Sequence, residues 1–464
     1  MRPPFAVTNG SRMSRTFLVL AKAFLTAALA AATLAPATAL GADGTIDSDV
    51  KKPTKVTLKP VDAAKLAIAV GDYKTAAAVL DIVLAADPSS TDALFLMAEL
   101  NARQKRFADA IPYYRKIIVN HPNIVRVRLD LARALFETGE DDAAAYNFHL
   151  ALAEGNLPAT VIDNVERYLA IIRSRRHFVY SVNLGIAPDT NINRATTSDR
   201  VNLFGLPFAL SPQSRAQSGV GVTGNLDGEY RADLLPDLRW RTGASLYTLK
   251  YPSNANFDDT QARGQIGPQW FGARGDVSLL GVATRRWYGD KEYSTGVGGR
   301  LEGQYWLTKQ LLYTSYVEGL SDTYDTQKFL NGYNLDQGNF LDYYLTPSSF
   351  VRGSAGVGYQ KADLDVFTNW YYKFGLAYQQ EFAYGITANL APEVQWWNYQ
   401  SVDPLFNVRR ADRQIFVKLS LYKRDFTIFG FAPVVSYSYT TMQSNESLFK
   451  YDRNQFQLGF TRQF

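Results

Sequence analysis

The chain of 464 residues contains no cysteine at all. This absence excludes disulfide bonds, thiolate metal sites, a cysteine nucleophile and a lipid anchor on an N-terminal cysteine. Histidine is nearly absent as well, because only His121, His149 and His177 could supply an imidazole to a catalytic or metal site. After Ala42 no apolar run reaches the length of a membrane-spanning helix, so any membrane embedding there would require strands. The net charge of +5 includes no strongly basic block, which argues against a nucleic-acid partner.

The N-terminal segment has the pattern of an export signal. Positive charges at its start precede a mostly small and apolar stretch from Thr16 to Ala39. The final residues of that stretch, Ala35-Pro36-Ala37-Thr38-Ala39, fit the A-x-A pattern of a signal peptidase site. We therefore predict a signal peptide over residues 1–39 and a flexible polar leader over 40–57. A retained membrane anchor is the alternative.

The next stretch repeats itself with a period of 34 residues. Alanines and large residues recur in register at three sets of positions: Ala64, Ala98 and Ala132; Ala76, Ala110 and Ala144; Leu80, Tyr114 and Phe148. The period and the residue order resemble the tetratricopeptide repeat, in which paired helices stack into a solenoid with a concave groove. We predict this α-solenoid over 58–176, with a closing helix over 157–174. The candidate groove residues for binding a peptide or protein segment are Arg103, Arg126 and Arg133, and a structural spacer is the alternative reading.

From about residue 178 the hydrophobic period changes to two. Val297, Leu301 and Tyr305, for example, alternate with polar residues, and 13% of the whole chain is aromatic. Fourteen segments of this kind are joined alternately by short turns and mostly longer loops, which is typical of a transmembrane antiparallel β-barrel. We predict such a barrel over 177–464, with 12 or 16 strands as alternative counts and soluble sandwich domains as the alternative fold. The fold class is therefore α+β multidomain, and the polar face supplies four candidate lumen residues: Arg300, Glu302, Arg352 and Lys418.

Motifs that could carry chemistry do not form a site. Gly219 to Gly224 fits G-x-G-x-x-G but lies within a predicted strand, so nucleotide binding is not expected. The stretch from Asp189 begins like a calcium loop, yet Arg194 and Arg200 occupy positions that an EF-hand fills with Gly and Glu. A loop ion site there stays open, and His177 reads as part of a basic junction at the headgroups. We predict no enzyme, no metal and no cofactor.

The architecture and one short stretch together suggest a family. A signal peptide, about three tetratricopeptide repeats and a 14-strand barrel resemble the surface lipoprotein assembly modulators, the outer-membrane components of the type XI secretion system. The stretch after the first predicted strand, which carries Asp189, Asn191 and Asn193, looks like the first-strand signature of that family. The resemblance covers nearly the whole chain after the signal peptide.

The resemblance implies an outer-membrane translocator, with the repeats in the periplasm, that moves lipoproteins or related secreted proteins to the cell surface. Its expected partners are that cargo, outer-membrane lipid, periplasmic chaperones and the barrel assembly machinery. The alternative is an exopolysaccharide export porin. The mixed charges at the predicted lumen positions argue against that porin, which usually has a lumen of one dominant charge.

Overall fold

The computed structural model describes residues 59–154, 157–175, 177–272, 274–423, 426, 428 and 431–461. The predicted signal peptide and leader lie outside the described residues, as does Phe464 at the end of the sequence. Within these described ranges the first part has seven helices: α1 (Pro60–Ala69), α2 (Tyr73–Ala86), α3 (Thr91–Arg103), α4 (Phe107–Asn120), α5 (Val125–Glu137), α6 (Asp141–Leu152) and α7 (Ala159–Arg175). None of the helices in the described ranges is both long and apolar enough to span a membrane.

The repeating residues form the contacts between these helices. The six period alanines are fully buried, which allows the backbones of paired helices to approach closely. The large residues of the period are buried as well: Tyr114 and Phe148 lie in one hydrophobic cluster and Leu80 in the cluster of the first helices. Gly71 and Gly139 take the left-handed backbone conformation at the turns, and Lys105 takes it at the equivalent turn of the second unit with φ of 60°. The predicted repeat fold and its closing helix are confirmed.

The second part is a closed antiparallel barrel of fourteen strands. The strands are β1 (Phe178–Asp189), then, after a small hairpin of β2 (Arg200–Leu203) and β3 (Leu206–Ala209), β4 (Gly219–Leu235), β5 (Leu238–Lys250), β6 (Asp259–Phe271), β7 (Gly275–Tyr288), β8 (Lys291–Trp306), β9 (Leu311–Tyr324), β10 (Gly332–Thr346), β11 (Ser349–Ala362), β12 (Asn369–Glu381), β13 (Ile386–Asp403), β14 (Val408–Lys423), β15 (Ala432–Ser444) and β16 (Tyr451–Thr461). Each strand pairs with its sequence neighbour in the barrel, and β1 pairs with β16 to close it. The predicted count of fourteen is confirmed.

The period of two separates an outer from an inner face. Apolar residues such as Val297, Leu301 and Tyr305 are about half exposed on the outside. Polar residues of the same strands point into the barrel, where they bond to strands that are not their neighbours in the wall. A barrel with this division can lie in a bilayer with hydrocarbon outside and water inside.

Three predicted strand starts were wrong by more than three residues, and one of them is that of β14, which begins at Val408 rather than 412. β10 begins at Gly332 rather than 337, because the alternation already holds for exposed Tyr333 and Leu335. β15 begins at Ala432 rather than 425. The apolar residues Phe426 and Ile428 suggested an earlier start, but Ile428 forms a local bridge to Phe431 outside the named strands. The hairpin of β2 and β3 was not predicted.

Candidate functional site

Helices α3 and α5 of the repeats carry a compact group of charged residues. Arg103 bonds to Glu99 at 2.7 Å on α3, and Arg126 bonds to Asp130 at 2.7 Å on α5. Glu99 also acts electrostatically on Arg126, which links the two helices, and exposed Arg133 acts on Asp130. The structure therefore brings the three predicted groove arginines into one neighbourhood.

Protonation in this group follows from burial and pairing. Burial raises the pKa of Asp130, and the opposing effect of Arg126 does not cancel that rise. The pKa of Arg126 is raised by its hydrogen bond to Asp130 and by the charge of the same carboxylate. Arg133 has no hydrogen-bond or ion-pair partner among the described residues. A ligand in the groove would thus meet one free guanidinium beside two that are already paired.

The repeat domain is fixed to the barrel through a buried ion pair. Arg128 of α5 donates to Glu381 at the end of β12 over 2.7 Å, and each side chain is only 1% exposed. Tyr146 of α6 donates to the other oxygen of Glu381, also at 2.7 Å. Arg128 further donates to Asn147 at 3.0 Å and to the carbonyl oxygen of Pro122 at 2.7 Å. Burying a charge without such partners would be strongly unfavourable, so this pair depends on the two domains being docked.

Further contacts involve two other short turns of the barrel. His149 of α6 stacks on Trp306 at the end of β8 with ring centroids 4.5 Å apart. Gln310, in the turn that follows, donates to the carbonyl oxygen of Ala153 at 2.6 Å. Ser348, between β10 and β11, donates to Asn123 at 2.6 Å. The repeats thus contact the short-turn end of the barrel between strands β8 and β12.

The lumen contains a network of ion pairs that spans several strands. Arg241 of β5 bonds to Glu302 of β8 at 2.6 Å, although two strands separate them in the wall. Arg263 of β6 bonds to Glu318 of β9 at 2.5 Å. Arg300 bonds to both Glu302 and Glu318, at 2.6 Å and 3.2 Å. Bonds between strands that are not neighbours must cross the interior, so these side chains face the lumen.

The structure places the four predicted lumen residues in three separate surroundings. Arg300 and Glu302 meet in the network, where a cavity of about 610 Å³ lies beside them. Arg352 instead pairs with Asp342 of β10 at 2.6 Å. Lys418 lies on β14 and has no ion-pair partner among the described residues. The sequence reasoning missed Arg241, and its inward position in the alternation of β5 was the available signal.

The residues of the suspected family motif form a clasp at the long-loop end of the barrel. Asp189, the last residue of β1, has a side chain that is 0% exposed and bonds to Arg453 of β16 at 2.5 Å. Tyr251 donates to the same carboxylate at 2.9 Å, and the backbone N–H of Asn191 donates to its other oxygen at 2.9 Å. We name these residues, Asp189, Asn191, Tyr251 and Arg453, the outer clasp. Their bonds occupy the Asp189 carboxylate.

The two asparagines of the motif hold the first long loop in place. Asn191 donates to the carbonyl oxygens of Ala195 at 2.8 Å and Asp452 at 3.1 Å. Asn193 donates to the carbonyl oxygen of Arg215 at 2.7 Å and accepts from the N–H of Gln217 at 3.0 Å. Each asparagine side chain thus satisfies backbone groups of the loop.

The G-x-G stretch lies in β4, as predicted, and serves packing beside the clasp. A β-carbon on Gly221 would lie 2.7 Å from Leu249 and 3.0 Å from Tyr251. Glycine here therefore allows β4 to pass close to the clasp tyrosine. His177, at the opposite end of the barrel, is bonded to the carbonyl oxygen of Arg231 at 2.9 Å and lies 3.7 Å from Asp233.

Comparison with known proteins gives matches over both domains. A family model described as surface lipoprotein assembly modifier matches residues 179–464, and a tetratricopeptide repeat model matches 61–124. The chain is 25% identical to surface lipoprotein assembly modifier 1 of Haemophilus influenzae over 77% of this chain and 74% of the relative. It is 26% identical to the protein of the same description in Neisseria meningitidis, over 80% and 76%. Among solved structures, a loop-deletion mutant of the Vibrio cholerae outer membrane protein OmpT covers 61% of this chain and 98% of its own, with 8% identity and a TM-score of 0.36.

Proposed function

Because this chain belongs to the surface lipoprotein assembly modifier family, we propose that it delivers lipoproteins, or related secreted proteins, across the outer membrane to the cell surface. In this proposal the periplasmic repeats engage the cargo and pass it to the barrel. The observation that carries it is the docking of a charged groove onto the short-turn end of a closed barrel through the buried pair of Arg128 and Glu381. A segment held in that groove stays beside the barrel.

The groove supports a ligand with at least one negative group. Arg126 and Arg133 both lie on α5, and only the first is paired, with Asp130. An acidic side chain of the cargo could pair with Arg133 without breaking an existing ion pair. Electrostatic complementarity of this kind affects the choice of partner and the association rate more than the final affinity.

The lumen charges argue against an exopolysaccharide porin. A lumen that attracts an anionic polymer needs unpaired charges of one sign, whereas the network alternates Arg241, Glu302, Arg300 and Glu318 in bonds of 3.2 Å or less. The electrostatic potentials of these arginine and glutamate side chains largely cancel one another, so the network presents little net charge to a polymer in the lumen. We further propose that the chain acts without catalysing a reaction. We also propose that periplasmic chaperones bind the cargo, and that the barrel assembly machinery inserts this chain into the outer membrane.

Surface labelling tests the proposal directly. Whole cells with and without this chain would be treated with a membrane-impermeant biotin ester, and the labelled lipoproteins would be identified. We expect at least one lipoprotein to lose its label without the chain, while its total amount stays the same. Unchanged labelling of every lipoprotein would contradict the proposal, and a loss of surface glycan instead would favour the porin.

Point variants test the groove while keeping the domains docked. We expect Arg126→Glu combined with Arg133→Glu to lower the surface label about tenfold, a change that corresponds to about 1.4 kcal/mol. Lys116→Glu, on exposed α4 outside the charged group, is the matched control and should leave the label within about twofold. Equal labelling in both variants would remove the groove from the mechanism. A deletion of the repeats is a poorer test, because it would leave Glu381 without Arg128.

A further inference from the structure

Two amide side chains lie on the outward face of strand β10. Gln337 forms a register pair with Val317 of β9, which in turn pairs with the outward Leu301 of β8. Because residues directly opposite one another on neighbouring strands share a face of the sheet, Gln337 points outward as well. Asn339 lies two residues further along β10 and therefore faces the same way.

Two exposed tyrosines of the same strand indicate the depth of these amides in the membrane. Tyr333 and Tyr343 point outward on β10, and aromatic residues of this kind mark the two edges of the apolar band of a barrel. Ten residue steps separate them, which correspond to about 34 Å along the strand and about 26 Å across a membrane at a tilt of about 40°. Gln337 and Asn339 each lie four residues from the nearer tyrosine, so about 10 Å of hydrocarbon separates each amide from an interface.

The described part of the chain supplies hydrogen bonds to one of these amides and not to the other. Tyr313 and Ser315 donate to the side-chain oxygen of Asn339 at 2.7 Å and 3.1 Å. Asn339 donates to the carbonyl oxygen of Ala355 at 3.5 Å. The side chain of Gln337 has no hydrogen-bond partner among the described residues. An unpaired amide in hydrocarbon is unfavourable, because neither lipid chains nor water can bond to it there.

The surface beside the two amides is shallow. Gly353 and Ala355 of β11 pair with Leu341 and Asn339 of β10, so they also face outward. A β-carbon on Gly353 would have no atom within 4 Å, so no contact among the described residues requires a glycine at this position. Small residues allow two surfaces in a membrane to approach closely, which brings polar side chains within hydrogen-bond distance. We call Gln337, Asn339, Gly353 and Ala355 the amide patch.

We propose that the amide patch is the contact surface for a second copy of this chain within the outer membrane. A primary amide contains both a donor and an acceptor. The amide nitrogen of Gln337 can therefore donate to the side-chain oxygen of Gln337 of the partner subunit, while its own oxygen accepts from that partner's nitrogen. Two equal patches form such a contact about a twofold axis. The proposal does not depend on which cargo the barrel carries.

The shared orientation of two copies favours this partner over others. Copies that both have their repeats in the periplasm can be related by a twofold axis only if it runs along the membrane normal. Such an axis places Gln337 of both copies at the same depth. A lipid acyl chain could fill the space at Gly353, but it would leave the amide unpaired. An unrelated membrane protein would need a polar group of its own at this depth.

Thiol crosslinking in isolated outer membranes tests this contact, because the chain has no native cysteine. Val317→Cys and, as a second position, Leu335→Cys each place one exposed thiol beside Gln337 on the outward face. The matched control is Leu184→Cys, an exposed residue of β1, which lies seven strands from β10 around the barrel. We expect a bifunctional maleimide to give a product of twice the chain mass at both patch positions, and at least tenfold less of it at the control.

A second variant tests the amide itself. Gln337→Leu removes the donor and the acceptor and breaks no hydrogen bond within the described part of the chain. In the Val317→Cys background we expect it to lower the crosslinked fraction about tenfold. The folded mobility of the unheated barrel on a gel should stay the same, because the monomer loses no contact. Gln337→Asn keeps both polar groups and should retain the crosslinking within about threefold.

Several results would overturn the proposal. The absence of a doubled product at both patch positions in a folded barrel would do so, as would equal crosslinking at Leu184→Cys. An unchanged crosslinked fraction in Gln337→Leu would show that the amide does not hold the two copies together. A product whose mass is not twice that of the chain would assign the patch to a different membrane protein.

Discussion

Breaking the buried ion pair between the domains should loosen the repeat domain far more than breaking an exposed one. The change is Glu381→Gln, which keeps the size of the side chain and removes its charge. Arg128 would then stay buried at 1% exposure with hydrogen bonds to Asn147 and Pro122 but without a counter-charge. Removing one partner of a buried pair typically costs about 3–5 kcal/mol.

The size of this effect sets the expected shift in melting temperature. The described repeat domain runs from 59 to 175, and a domain of that size loses about 4 °C for each kcal/mol. Circular dichroism at 222 nm in detergent micelles would follow the helices, and we expect their midpoint to fall by about 12–20 °C. Undocking sets a limit, because once the domains separate the guanidinium of Arg128 regains water and no further stability is lost.

Two further variants decide whether the reasoning holds. Glu140→Gln removes the exposed partner of Arg115 and should change the midpoint by no more than about 4 °C, since exposed ion pairs contribute about 0–1 kcal/mol. Arg128→Met combined with Glu381→Met replaces both charges by apolar groups and should regain most of the loss. Equal midpoints for Glu381→Gln and Glu140→Gln would refute the argument that this pair fixes the domains.

Three other predictions concern the turn of the second repeat, the outer clasp and the last long-loop turn. Lys105→Gly should raise the helix midpoint by about 4 °C, because it removes about 1 kcal/mol of left-handed strain at φ of 60°; a lower midpoint would contradict this. Arg453→Met should lower the heating temperature at which the barrel unfolds on a gel, because it leaves the buried carboxylate of Asp189 without its counter-charge, whereas Arg413→Met at an exposed site should not. Burial raises the pKa of Glu446 to about 7, because the folded turn favours the neutral carboxyl. The turn should therefore have its full stability below about pH 4.5 and should lose stability as the pH rises through 7. Protease cleavage at residues 444–451 should therefore be faster at pH 8 than at pH 5.5, and Glu446→Gln should remove the difference.

The parts of the fold that the sequence predicted correctly depend on short-range patterns, namely the repeat period of the helices and the alternation along the strands. The period of 34 places Gly71, Lys105 and Gly139 at equivalent turns, and all three take the left-handed conformation there. The period of two fixes which residues face outward, because one step along a strand turns each side chain to the other face. Both patterns are set within a few residues, and a single sequence contains that information.

Contacts between distant segments were beyond the reach of such rules. Nothing near Arg128 in the sequence indicates that its partner is Glu381, 253 positions later. The motif around Asp189 was noticed as a stretch of sequence, but its connection to Arg453 depends on closure of the barrel. The prediction grouped Arg352 and Lys418 with Arg300 as lumen residues, but the three side chains do not meet. The alternation along a strand shows whether a side chain faces the lumen. It does not show its position along the barrel axis or which side chains lie beside it.

The contacts between distant segments hold different parts of the barrel. The repeats contact the barrel between β8 and β12, and the ion network of the lumen joins β4 to β9. The outer clasp joins β1 to β16 at the long-loop end through Asp189. Because the clasp and the docking pair join segments that are far apart in the sequence, they can form only once the barrel has closed. A variant that breaks one of them therefore tests the closed and docked state, whereas Lys105→Gly tests a single local turn.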